Sequence, residues 1–255
     1  MTDADSPMLG NIRDEAARLA GAVMDAGLSA RLIGGLAFYL RCPSVRQGPY
    51  ARDYNDMDFA IASSASAKFK ALLAGDGYLP DSFFNGLHGA TRLYYAAPDG
   101  RWSVDVVIDE LVMSHSLDLR GRLAQPAPSI PLADLLLTKL QVWEINRKDL
   151  GDALCLLADH ALSEDENDVE GISLPRLRAV LGADWGFHHT AERNLGKLEE
   201  LWAETPVPGA PRDAGASIAA LQRAIEEAPK TRGWRLRARV GERKRWYETP
   251  EEVGH

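Results

Sequence analysis

The sequence predicts an α+β fold, a mixed sheet with flanking helices followed by a helical C-terminal region. Strand-like runs at 31–33, 57–61, 92–96 and 102–108 are confined to the first half of the chain. They stop at the Pro-containing segment 124–131, after which helix formers continue to about Glu227.

Each element has a local cause. Ile12, Ala16, Leu19 and Val23 recur at helical spacing, so 11–25 reads as an amphipathic helix that Gly27 stops. Residues 31–33 form a short strand running into Gly34-Gly35, and a helix begins over 36–40. Pro43, Gly48 and Pro49 make 41–55 a polar loop. A strand over 57–61 and a helix over 65–74 follow. The runs 92–96 and 102–108 flank Pro98-Asp99-Gly100, a hairpin signal that makes the sheet partly antiparallel. Helices are then expected at 132–144, 148–160, 174–181, 190–204 and 214–227. The implied organisation is an α/β domain over 1–128, a helical domain over 129–228 and a basic tail over 229–255.

Composition narrows the function. With 255 residues and 45% apolar content the chain can bury a substantial core. It contains no stretch of 18 uncharged apolar residues and its first ten residues are acidic rather than basic, so a cytoplasmic protein without a membrane span is expected. Cys42 and Cys155 lack the spacing of a zinc site or a disulfide framework. The net charge of −8 argues against a protein that coats nucleic acid by global attraction. The charge is uneven, however: from Lys230 onward eight Lys and Arg face four Glu, which leaves −12 on residues 1–229. The tail is either a solvated end or a basic strip with Trp234 and Trp246 available to stack on bases.

Three acids carry the chemical signal. Asp56 and Asp58, two apart on a strand, share one face while Met57, Phe59 and Ile61 take the other. Asp105 stands between Val104 and Val106 in an apolar strand, where a charge needs a partner. At ~4 Å two carboxylates repel by roughly 4 kcal/mol at an effective dielectric near 20. A shared site would therefore call for raised pKa values or for a cation, and Mg²⁺ suits carboxylate oxygens and phosphates. Gly34-Gly35 at a strand-to-helix junction would let backbone N–H groups approach phosphate oxygens. In the helical half, Lys139 lies in an apolar stretch, and Lys148, Asp149 and Asp152 cluster on one helix. They read either as surface salt bridging or as phosphate contacts. His88 is read as structural, His188 and His189 as surface or capping histidines, and Trp143 and Trp185 as core residues of the helical half.

The order Gly-Gly, then Asp-x-Asp with Arg52 four residues ahead of it, then a later strand Asp, resembles the nucleotidyltransferase superfamily related to DNA polymerase beta. Lys139 with Arg147-Lys148-Asp149-x2-Asp152 is similar to the helical motif of its abortive-infection type IV toxin branch. The resemblance covers about residues 30–157. It implies that Asp56, Asp58 and Asp105 are catalytic and hold Mg²⁺, two ions or Mn²⁺ in their place. It further implies that Gly34, Gly35, Arg52, Lys139, Lys148, Asp149 and Asp152 bind the NTP or shape its surroundings. The implied reaction moves an NMP from an NTP to an acceptor hydroxyl and releases pyrophosphate. The implied acceptor is tRNA or another RNA, with an antitoxin protein as a possible partner of such an enzyme. A small hydroxylated acceptor, as in aminoglycoside nucleotidyltransferases, and a non-catalytic nucleotide-binding protein are the competing readings. Leu36 and Tyr54 depart from the pattern, standing where many members carry Ser or Thr and Thr, respectively.

Overall fold

The computed structural model describes residues 10–249; residues 1–9 and the last six of the basic tail lie outside it. Helix α1 (Ile12–Asp25) starts at Asn11, whose side chain accepts from the N–H groups of Arg13 and Asp14. Strand β1 (Ala30–Ile33) runs directly into α2 (Gly34–Arg41), so the two glycines are the first turn of the helix itself. After the loop come β2 (Asp56–Ile61), α3 (Ser66–Gly75), β3 (Leu79–Pro80), α4 (Ser82–His88), β4 (Arg92–Ala96) and β5 (Ser103–Ile108). A small hairpin, β6 (Glu110–Val112) and β7 (Ser116–Asp118), leads to the helical half.

The main sheet has the order β1-β2-β5-β4-β3. β1 pairs antiparallel with β2, β2 parallel with β5, and β5 antiparallel with β4, which is the mixed sheet expected. Register builds two contrasting rows across it. Leu32, Phe59, Val106 and Leu93 form a fully buried row, and Phe59 meets Phe69 of α3 with ring centroids 5.3 Å apart. The adjacent row on the opposite face is Ile33, Asp58, Asp105 and Tyr94. Period-2 alternation thus puts the acids on the face that the core does not use.

The second half comprises α5 (Leu132–Leu140), α6 (Arg147–Asp159), α7 (Leu174–Ala183), α8 (Trp185–Glu204) and α9 (Ala214–Glu226). One correction concerns strands: the two-residue β8 (Leu162–Ser163) and β9 (Ile172–Ser173) pair here, too short to leave a sequence pattern. Helix α4 and the β6/β7 hairpin also went unpredicted. Buried residues from both halves join one hydrophobic core, and all nine residues of α5 are buried. Within α5, Asp134 is 0% exposed and accepts from Arg122 Nε and Arg176 Nε, each at 2.8 Å.

The described part of the basic tail folds onto the helical half. It contains α10 (Arg232–Val240), capped by Thr231 and packed on α7 and α8. Trp234 meets His188 edge-on, and Trp246 packs against Trp143, Trp185 and His189. These two indoles are therefore packing residues and not platforms for bases. No helix among the described residues is long and apolar enough to cross a membrane.

Candidate active site

A cleft of about 750 Å³ opens on the acidic face of the sheet. Asp56, Asp58, Asp105, Gly34, Gly35, Arg52, Lys139, Lys148 and Asp149 all line it. Asp58 and Asp105 are direct register partners on neighbouring parallel strands, so their side chains emerge side by side. Asp56 lies two residues along the same face and is exposed.

Gly34 owes its identity to Asp58. Its φ is +65°, a left-handed conformation that costs an L-residue ~1–2 kcal/mol. A methyl group on Gly34 would also overlap the Asp58 carboxylate. At Gly35 a Cβ would come within 2.9 Å of both Arg52 Nη2 and Tyr54 Cε1. The glycine pair thus lets an aspartate, an arginine and a tyrosine close over the start of α2, where no side chain caps the first turn. Gly34→Ala is expected to displace Asp58. Circular dichroism should show a folded protein with a modestly lowered Tm, and Mg²⁺ should no longer raise that Tm.

Electrostatics follow from this crowding. Desolvation first, then the charges of Asp56 and Asp105, push the Asp58 pKa up to about 7, against the opposing pull of Lys139 and Arg92. Asp105 has found a partner of its own. Arg92 of β4 grips it through Nε, 2.8 Å from Oδ1, and through Nη2 on Oδ2. No group of three or more His, Cys, Asp or Glu among the described residues is arranged to hold a metal ion. In donor chemistry, Asp56 and Asp58 on one strand face suit a divalent cation, beside a cradle that only glycine leaves open, while Asp105 in register next to them is taken up by Arg92. Arg92 escaped the sequence reading because its approach to Asp105 depends on the register of β4 against β5, which a hairpin signal alone does not fix.

Across the cleft, the cationic residues are held by acids. Lys139, 8% exposed, is ion-paired with Asp149 and Asp152, and its Nζ sits 5.2 Å from the centroid of the Phe38 ring. Burial acts most strongly and lowers its pKa, yet the charges of Asp152 and Asp149 outweigh it and the net shift is upward. Arg52 bridges both oxygens of Asp152, at 2.6 and 2.8 Å. Asp152 itself is 1% exposed and does not line the cleft. Its predicted place at the nucleotide is therefore corrected to an anchor beneath it. Asp149 remains at the rim, with Asn146 capping α6 onto its N–H.

The same helix face positions the loop that carries Arg52. Ser44 donates from both N and Oγ to Asp159, Tyr50 lies against Gly151, where a Cβ would come within 2.9 Å of its ring, and Arg52 grips Asp152. Tyr54 stacks edge-on with Tyr39 at 5.8 Å, and Arg13 and Arg52 lie against its ring. Thr91, Glu110 and Met113 also line the cleft without having been foreseen.

No family model and no curated protein matches the chain. Several solved structures are similar to it. A lincosamide antibiotic adenylyltransferase, LnuA, lincomycin-bound in its structure, shares 13% identity at a TM-score of 0.42, covering 58% of this chain and 98% of that one. An antigenic nucleotidyltransferase-like protein from Paracoccidioides brasiliensis shares 14% identity at 0.41, covering 87% and 94%. The protein JHP933 from Helicobacter pylori shares 12% identity at 0.36, covering 91% and 97%.

Proposed function

We propose that the chain is a nucleotidyltransferase that moves an NMP from an NTP to an acceptor hydroxyl, releasing pyrophosphate. One observation carries this reading. Asp56, Asp58 and Asp105 share a sheet face beside the uncapped start of a Gly-Gly helix, within one cleft that also holds Arg52, Lys139 and Lys148. Asp56 and Asp58 would hold Mg²⁺ or Mn²⁺, with Asp105 joining them when Arg92 gives way. Such a cation supplies Lewis-acid polarisation of the phosphates and lowers the pKa of the attacking hydroxyl.

The chain's own groups do the positioning. The first N–H groups of α2 offer donors and a partial positive charge to phosphate oxygens. Lys148 lies at the cleft edge as a further cation, while Arg52 and Lys139, held in place by Asp152, would offer N–H donors to phosphate oxygens with little reorganisation. In-line transfer then depends on orientation rather than on a covalent enzyme intermediate.

The test is Mg²⁺-dependent pyrophosphate release with each NTP, using RNA and small hydroxylated compounds as acceptors. Asp56→Ala is expected to lower the rate by at least ~100-fold. An unchanged rate in that variant would sink the assignment. A second reading, a nucleotide-binding protein without turnover, is favoured by the grip of Arg92 on Asp105. Saturable NTP binding without pyrophosphate release under any acceptor condition would select it.

A further inference from the structure

Helix α10 presents two faces of different character. Trp234 turns inward to His188, and Arg237 lies 4.7 Å from the Trp185 ring and ties off the chain through Gly241 O and Lys244 O. Arg232, Arg235 and Arg239, at i, i+3 and i+7, are exposed, with Arg243 just beyond. Among the described residues the side chains of these four arginines form no hydrogen bond, ion pair or ring contact. The one acid nearby in sequence, Glu242, is drawn to His189 Nε2 at 2.9 Å. Like charges on one helix face repel, and no described acid pairs with any of the four.

We propose that this arginine face docks the phosphate backbone of an RNA strand and leads it to the candidate active site. Guanidinium groups spaced by about one helical turn match a repeating anion, and their planar fork suits phosphate better than an ammonium would. A lipid surface fits less well. Only Leu236 and Val240 are exposed apolar residues on this face, and both tryptophans of the region are packed inward.

The direction of the chain connects the two sites. Beyond Arg243, Trp246 and Tyr247 pack on Trp143, Tyr247 with its ring stacked at 4.6 Å. Glu248 N then donates to Ser114 O at 3.0 Å. Val142 and Met113, the neighbours of Trp143 and Ser114 in sequence, line the cleft. The choice of RNA rests on the nucleotidyl-transfer reading, because every ribonucleotide brings a hydroxyl to that cleft.

The experiment measures binding of a fluorescently labelled single-stranded RNA by anisotropy between 50 and 200 mM KCl, independently of turnover. With four phosphates contacted, log K should fall with log salt at a slope near −3, about a 50-fold loss across that range. Replacing Arg232, Arg235, Arg239 and Arg243 together by Ala should weaken binding at least tenfold at 50 mM and flatten the slope. The matching four-Lys variant should retain most of the slope, which separates lost charge from lost fold. Parent protein that binds RNA with this slope yet transfers no nucleotide from any NTP would overturn the activity alone and leave the docking face standing. An unchanged slope in the four-Ala variant overturns the docking face. So does tighter binding to phosphatidylserine vesicles, or to DNA of the same sequence, than to RNA.

Discussion

Asp58→Asn is expected to abolish nucleotidyl transfer and, at the same time, to raise the melting temperature of the metal-free protein at pH 8. The native Asp58 pKa, about 7, lies above the ordinary value of 3.8 because the carboxylate is desolvated and faces Asp56 and Asp105. A carboxyl group with a raised native pKa favours folding while it is protonated. Its contribution is complete below about pH 4 and is lost as pH rises through about 7. The isosteric amide removes the charge, so the two proteins should melt alike near pH 4 and diverge upward of it, by on the order of 1–3 kcal/mol at pH 8. Mg²⁺ should raise the Tm of the parent by binding the native state and leave the variant unmoved. A Tm difference that is flat between pH 4 and 8 would show that Asp58 carries no stored repulsion, and retained transfer would remove it from the chemistry.

Asp152→Ala should be the most destabilising single change around the cleft. It removes one acid from beneath two cations, leaving Arg52 without its bidentate partner and Lys139 with Asp149 alone. Removing one member of a buried pair costs about 3 kcal/mol or more, because the remaining charge stays desolvated. For a chain of this size that corresponds to a fall in Tm of roughly 6–12 °C by thermal melt. The loop carrying Arg52 should loosen as well, so NTP affinity should fall although Asp152 does not line the cleft. A cycle with Arg52→Ala should give a coupling energy of at least ~1 kcal/mol, and additivity would refute the shared anchor.

These two sites show what could be read from residues alone. Asp56, Asp58 and the strand they occupy were legible because alternation along a strand is local, and Met57 and Phe59 mark its buried side. The Gly-Gly junction was legible as a turn into a helix. Its reason was not, since only the pairing of Ile33 with Asp58 brings the carboxylate over Gly34. Asp149 and Asp152 were legible as sharing a helix face, but not that Asp152 is buried behind Arg52 and Lys139. Burial of a carboxylate between two cations is a property of packing between α6, α5 and the preceding loop, which no spacing rule encodes. Arg92 left no sequence signal because its role arises across strands. Trp234 and Trp246 were misread for a related reason: a run of Arg and Trp looks alike whether its aromatic side faces solvent or, as here, His188, Trp185 and Trp143.

Helix α5, buried along its whole length, has a consequence for how this protein can be divided. Its leucines serve both halves at once, and Asp134 within it joins arginines that lie before and after it in the chain. A fragment ending before Leu132 would lose the helix against which its own α2 packs. A fragment beginning there would leave Arg122 behind and uncover a leucine-rich surface. Dissection into freestanding modules should therefore yield insoluble pieces, and co-expression of the two halves should recover them only as a reassembled pair.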